Sequence, residues 1–299
     1  MHFPLADIEV ALWVPPLAAL VISFFTSMGG ISGAFLLLPF QMSLLGASSP
    51  SLSATNQIYN VVAVPLGVLR YIQEGRMVWP LARAIACGTL PGVLTGALIR
   101  VTLLPDKHGF LPFAVLVLTF IGLWVARDVA RWKKTKTGSE CPLRPAPNIT
   151  ILRAGRSRIA YTFHGERFEV SVCKVLILSG IAGMVGGVYG IGGGVIVAPV
   201  LTSCMGLPVH TVAGAALLGT LATSAASVLF YLALTPLFPA LSIAPDWLLG
   251  LLFGLGGMAG MYLGARCQKF VPPVAIKALL ATVLLFAAGR CLLEFSAAA

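Results

Sequence analysis

Five positions hold most of the chemistry this chain can offer: Gly190, Ile191, Gly192, Gly193 and Gly194, in the apolar run Gly187-Val188-Tyr189-Gly190-Ile191-Gly192-Gly193-Gly194-Val195-Ile196-Val197-Ala198-Pro199. Each glycine costs a helix interior roughly 1 kcal/mol against alanine, so a cluster of them breaks a helix and frees backbone N–H groups. Freed N–H groups at a helix N-terminus attract anions, helped by the positive end of the helix dipole. A weaker copy stands earlier, Ser27-Met28-Gly29-Gly30-Ile31-Ser32-Gly33-Ala34, and runs on to Pro39. Two broken segments facing one another would cradle an oxyanion, and the candidate contacts are Gly29, Gly30, Ser32, Gly33, Gly190, Gly192, Gly193 and Gly194. Side chains that could join them are Asn56, Gln57 and Asn60, three amides in otherwise apolar sequence, with Tyr189 and Thr220 in the second half. Arg83 is a candidate anion contact, and Arg100 is a second one. The alternative for the glycines is close helix packing, and for the amides helix-to-helix hydrogen bonding.

This chemistry is binding, not catalysis. No Ser-His-Asp, HExxH or metal-ligand cluster is present, so neither an enzyme nor a metal site is expected, and no cofactor. A dinucleotide fingerprint needs G-x-G-x-x-G after a strand; here Val195 stands where its third glycine belongs. Acids are absent from the middle of the apolar segments, since Asp128, Asp246 and Glu294 fall near expected helix ends. A proton relay through buried carboxylates is therefore not supported.

The elements that hold these residues must cross a membrane. Of 299 residues, 58% are hydrophobic and 10% charged, whereas soluble domains carry roughly 25% charged residues. The apolar stretches match the roughly 20 residues that span a bilayer. Polarity does not alternate as in a β-barrel. The net charge of +10 is no sign of nucleic acid, because ten of the twenty Lys and Arg lie between Arg131 and Lys174, and cytoplasmic loops collect such residues. The cysteines, without CxxC spacing, read as buried reduced thiols.

An internal repeat organises the chain. A shift of 160 superposes Gly30 on Gly190, Gly33 on Gly193, Pro39 on Pro199 and Tyr71 on Tyr231. After eight extra residues in the second half, a shift of 168 superposes Gly88, Gly92 and Gly96 on Gly256, Gly260 and Gly264. The predicted helices are 10–28, a short 31–45, 52–72, 78–101 and 110–131, then 174–189, a short 193–205, 210–233, 246–267 and 274–294. The chain thus divides into a first membrane repeat (1–131), a basic loop (132–172) and a second membrane repeat (173–299). If the short segments cross, the repeats are inverted; if they dip and return, the repeats are parallel. With the 132–172 loop in the cytoplasm, the inverted arrangement puts Arg70, Arg76, Arg83, Arg266, Lys269 and Lys277 inside, in keeping with the positive-inside rule. The fold class expected is an all-α polytopic membrane protein of about 8–10 membrane helices, two inverted repeats each with one short half-helix. In the loop, Arg158–Phe163 and Glu166–Val172 alternate in polarity around His164-Gly165, which predicts a small cytoplasmic β-hairpin, more connector than functional domain.

The run Gly190-Ile191-Gly192-Gly193-Gly194-Val195-Ile196-Val197-Ala198-Pro199-Val200-Leu201 resembles the signature of the TauE/SafE sulfite exporter family, also called the toluene sulfonate uptake permease family. Ser32 and Ala34 depart from the family's glycines in the first copy, which implies unequal halves of the site. The resemblance implies a carrier, and first an exporter, of a small sulfur oxyanion or organosulfonate working by alternating access in the inner (plasma) membrane. A small anion, the lipid bilayer and a second copy in a homodimer are then the partners. A carrier of another small organic anion and a membrane scaffold or signalling protein are the rival readings.

Overall fold

A computed structural model describes residues 2–3, 8–28, 31–44, 49–134, 149–155, 157–163, 165–239, 241–267 and 273–298. Its helices are α1 (Val14–Met28), α2 (Ala34–Leu44), α3 (Pro50–Gln73), α4 (Trp79–Thr102) and α5 (Lys107–Lys134), then α6 (Val172–Tyr189), α7 (Gly194–Met205), α8 (Val209–Leu234), α9 (Trp247–Cys267) and α10 (Pro273–Ala298). These match the ten expected segments. Proline in the first turns of α3 and α4 uses positions whose N–H groups have no helical partner. Gly190 ends α6 in the left-handed region at φ 81°, its N–H bonded back to Gly186 O.

Among the described residues, five helices, within α4, α5, α6, α8 and α9, are long and apolar enough to cross a membrane. The burial pattern is that of a lipid-facing protein. Leu116, Phe120, Phe286 and Leu293 stand exposed on the outside, while Ser32, Gln41, Asn56, Gln57, Asn60 and Thr223 are fully buried. Helix α3 fails the same hydropathy test because its N-terminal half carries Asn56, Gln57 and Asn60 beside two serines and a threonine, all turned inward.

Helix packing reproduces the repeat atom by atom. A Cβ added at Gly88, Gly92 or Gly96 of α4 would strike the backbone carbonyls of Leu176, Gly180 and Met184 on α6. Added at Gly256, Gly260 or Gly264 of α9, it would strike those of Pro16, Leu20 and Phe24 on α1, each 160 residues before its α6 counterpart. These small-residue stripes let the backbones touch. Both pairs run parallel, since the contact residues rise together.

The same contacts settle how the halves are related. Ile58 and Val62 of α3 meet Gly250 and Gly254 of α9, so α3 and α9 are parallel. As α1 is also parallel to α9, α1 and α3 point the same way. The chain between them, which holds α2, therefore returns across the bundle. Tyr71 meets Gly214 and Leu217 lies at Gly67, so the corresponding helices α3 and α8 run antiparallel. The repeats are inverted. Helices α2 and α7 have 11 and 12 residues, about 16–18 Å at 1.5 Å per residue, half of a hydrocarbon core of roughly 30 Å.

The expected hairpin forms between β4 (Arg158–Phe163) and β5 (Glu166–Ser171), with Gly165 at φ 84° in its turn; His164 lies outside the described residues. A third strand, β3 (Thr150–Ala154), adds antiparallel to β4, and β1 (His2–Phe3) pairs with β2 (Ile8–Glu9) near the N-terminus. The three-stranded sheet is more than a connector. Ile159, Tyr161, Phe163 and Val170 are buried with the membrane core, and the Tyr161 hydroxyl lies 2.9 Å from Thr211 Oγ1 at the start of α8. At the opposite end, Ser51, the repeat counterpart of Thr211, donates to Ala244 O at 2.7 Å. Sheet and 238–246 loop thus close equivalent helix ends. Tyr161→Phe removes one buried bond of about 1 kcal/mol, and thermal unfolding in detergent should show a drop of a few degrees.

Candidate functional site

The buried polar residues gather where the two broken segments meet. Helix α3 supplies one face at helical spacing: Ser53, Asn56, Gln57 and Asn60, all fully buried. Asn60 ties the halves together. Its Oδ1 accepts from Ser32 Oγ at 2.5 Å and its Nδ2 donates to Ile191 O at 3.0 Å. Ser32 Oγ in turn accepts from Ala34 N at 3.4 Å, capping the start of α2. One turn before Asn60, Asn56 Oδ1 accepts from Gln41 Nε2 of α2 at 3.1 Å. Ser53 lies against Gly190, whose added Cβ would come within 2.6 Å of Ser53 Cα.

The second half contributes backbone. Gly192, at φ 76°, faces Thr220 and Ser224 of α8, and Gly194 packs on Ala216 O and Thr220. Gly193 N donates to Thr223 Oγ1 at 3.4 Å. Gly190 N and Ile191 N are satisfied by the carbonyl of Gly186. The N–H groups that start α7, from Gly194 onward, are those a helix leaves without an internal partner. The packing role of these glycines is thus real, and it coexists with a buried helix start at the centre of the protein.

Repeat positions explain why the halves are unequal. In the first half, Tyr59 reaches between Ser23 (2.7 Å, hydroxyl to hydroxyl), Gly33 and Gly257. Its counterpart is Gly219, and the equivalent space is closed instead by Thr89 against Gly193 and Gly183. Asn60 corresponds to Thr220, Asn56 to Ala216, Gln57 to Leu217 and Ser32 to Gly192. The first half gives side chains; the second gives glycine backbone.

Several buried polar atoms here have no hydrogen-bond partner among the described residues: Gln41 Oε1, Ser53 Oγ, Asn56 Nδ2, both polar atoms of Gln57, Ser224 Oγ and the Tyr189 hydroxyl. Unpaired buried polar groups each cost about 1–3 kcal/mol, a cost that a bound polar ligand or water at this cluster would recover. The structure brings Ser32, Gly33, Asn56, Gln57, Asn60, Tyr189, Gly190, Gly192, Gly193, Gly194 and Thr220 to this region. Gly29 and Gly30 lie outside the described residues. Arg83 is not in it: the side chain is exposed near the start of α4, where a long cation reaches the polar surface. Gln41, Ser53 and Ser224 belong to the cluster as well; Gln41 and Ser224 stand out in the sequence only as polar residues in apolar helices.

Inverted repeats, each interrupted by a half-helix at a buried polar centre, are the build of a secondary transporter. A family model for the sulfite exporter TauE/SafE matches residues 16–291. The chain belongs to that family of membrane transport proteins, which exports sulfur anions. No curated protein and no solved structure matched it.

Asn56 allows a test of whether the cluster serves a ligand. Asn56→Leu removes an unpaired donor. A hydrogen bond to a charged group is worth about 1.5–3 kcal/mol, so half-saturation for the carried anion should rise by about tenfold or more, a larger effect than the few degrees of melting temperature lost with the Gln41 Nε2 bond. Equal losses of affinity and stability would assign Asn56 to packing.

Proposed function

We propose that this protein carries a small sulfur oxyanion or organosulfonate outward across the inner membrane by alternating access, the anion held between the α3 amides and the start of α7. The observation that carries this is the cluster of unpaired buried polar atoms at the junction of two half-helices, in a chain of a sulfur-anion exporter family. Amide N–H donors and helix-start N–H groups suit the spread charge of a sulfite or sulfonate group, and a bound anion meets no carboxylate on the α3 face.

Export of an anion from a negative-inside cell is downhill by about 2.3 kcal/mol per charge per 100 mV. A carrier working with that gradient has no need of a buried carboxylate to bring in protons. The inverted repeats support alternating access, one half rocking on the other about the shared site. With the 132–172 loop in the cytoplasm, Arg70, Arg76, Arg83 and Arg266 fall on the same side as the loop, as the positive-inside rule asks. A homodimer through the exposed apolar outer face completes the picture.

Ligand-dependent stabilisation tests the substrate class. Purified protein should melt at a higher temperature with sulfite or a short alkylsulfonate and not with acetate at equal ionic strength. Stabilisation by acetate alone would contradict it.

A further inference from the structure

We infer that Arg100 is the charge-recognising residue of the anion path and that, with Tyr189 and Tyr231, it forms a second station for a sulfite or sulfonate group beside the glycine segment. This rests on the transport reading above and adds to it a site next to the first cluster, displaced toward the start of α3 from the Asn56–Asn60 amides.

Arg100 is the one buried cation among the described side chains, 1% exposed in a chain whose other described arginines reach the surface. Burying a guanidinium costs several kcal/mol even after the surroundings relax. Within membrane-spanning segments such residues mark ion pathways. The place is telling. Gly92 and Gly96 of α4 pack on Gly180 and Met184 of the parallel helix α6. Arg100, one turn further along α4, is therefore level with the last turn of α6, where Tyr189 leads into Gly190.

Side-chain contacts agree. The guanidinium carbon stands 4.0 Å from the centroid of the Phe110 ring, and that ring is 6.2 Å from Tyr189. Arg100 also donates to the Leu104 carbonyl, and Tyr231 and Asp106 are its electrostatic neighbours. Tyr231 packs with Ala54, Ala97 and Val101, which places it between the Arg100 turn of α4 and the start of α3. The next residue back from Ala54 is Ser53, which touches Gly190. The hydroxyls of Tyr189, Tyr231 and Ser53 are all buried without a hydrogen-bond partner among the described residues.

One fixed positive charge and three hydroxyl donors thus surround the entry to the glycine segment. A planar guanidinium presents donors in a fork that fits two oxygens of an oxyanion, which a lysine cannot reproduce. The phenols suit the remaining oxygen and the apolar walls of Phe110 suit an organosulfonate's carbon. The repeat puts Gln268 opposite Arg100, so the charge is supplied once. That matches the unequal halves found at the first station.

The test is flux of sulfite and of a short alkylsulfonate into proteoliposomes holding the full chain. The wild type, Arg100→Gln, Arg100→Lys, Tyr231→Phe and the exposed control Arg167→Gln are compared, each also melted with and without the anion. Expected are a rise in half-saturation of tenfold or more in Arg100→Gln, a smaller rise in Arg100→Lys and in Tyr231→Phe, and loss of anion-dependent stabilisation in Arg100→Gln. Arg167→Gln should match the wild type. Arg100→Lys keeps the charge at the end of α4 and guards against misfolding of the glutamine variant. Unchanged half-saturation in Arg100→Lys and Tyr231→Phe, or anion stabilisation intact in Arg100→Gln, overturns the second station and leaves the first standing. Wild-type protein that moves neither anion overturns the transport reading itself, and this inference with it.

Discussion

Asn60→Asp is expected to abolish anion transport in protein that still inserts into the membrane. The substitution is nearly isosteric, so packing around α3 is kept and Ser32 Oγ still finds an acceptor. The other bond is lost, because a carboxylate has no N–H to give to Ile191 O. A protonated acid would restore that bond at the cost of burying a neutral carboxyl; an ionised one would set negative charge beside the start of α7. The ionised form leaves the glycine segment without its tie to α3 and repels the ligand; the protonated form keeps the tie but replaces the amide by an acid. Asn60→Leu serves as the uncharged comparison. It leaves the Ser32 hydroxyl without its acceptor and Ile191 O without its donor, at about 1–3 kcal/mol each, so it should lose stability as well as flux. Flux measured per folded molecule separates the two: near zero for Asn60→Asp, reduced for Asn60→Leu. Wild-type flux from Asn60→Asp would remove Asn60 from the site.

Gly193→Leu is the second large effect. A Cβ at Gly193 would lie 2.6 Å from Thr89 Cβ and 3.1 Å from Gly183 Cα, so even the first added carbon forces α4 or α6 to shift. Overpacking of this kind costs roughly 1–3 kcal/mol, occasionally more. It also pushes the start of α7 away from α4, moving the N–H groups that face the centre. Transport should vanish, and the melting temperature should fall by several degrees. A compensating change follows from the repeat. Thr89 corresponds to Gly257, so Thr89→Gly makes room in the second half that the first half already has. Gly193→Ala combined with Thr89→Gly should recover both stability and part of the flux, whereas Gly193→Ala alone should not. Undiminished transport by Gly193→Leu would refute the role of this segment.

Much of this architecture is legible in the sequence because membrane helices are marked by strong and local signals. Glycines and prolines punctuate them: Pro50 stands at the start of α3, Gly190 at the end of α6 and Gly206 at the end of α7. The shift of 160 is legible too, since Gly88, Gly92 and Gly96 repeat as Gly256, Gly260 and Gly264 and do the same work against α6 and α1. The cradle follows from glycine clusters in an apolar context, and the amides of α3 stand out for the same reason.

What the sequence hides depends on partners distant along the chain. Arg83 and Arg100 look alike as cations in apolar helices, yet one is exposed and the other is the buried one; only the packing of α4 on α6 and α5 separates them. The exchange of Tyr59 for Gly219 has no local signal, because its consequence lies in Ser23, Gly33 and Gly257. Strand β3 is exposed along its whole length, so it lacks the alternation that betrays β4. The docking of the sheet joins buried Ile159, Tyr161, Phe163 and Val170 to the membrane core, with Tyr161 meeting Thr211 fifty residues away.

The central claim is that the junction of two inverted half-helices holds a sulfur oxyanion in transit. The most direct measurement is electrogenic efflux from proteoliposomes loaded with sulfite and set inside-negative, followed in wild-type protein and in Asn60→Asp. The account predicts saturable efflux that quickens with the potential, is competed by a short alkylsulfonate and is absent in Asn60→Asp. Efflux of acetate but not of sulfite or sulfonate, or efflux that Asn60→Asp leaves intact, would contradict it.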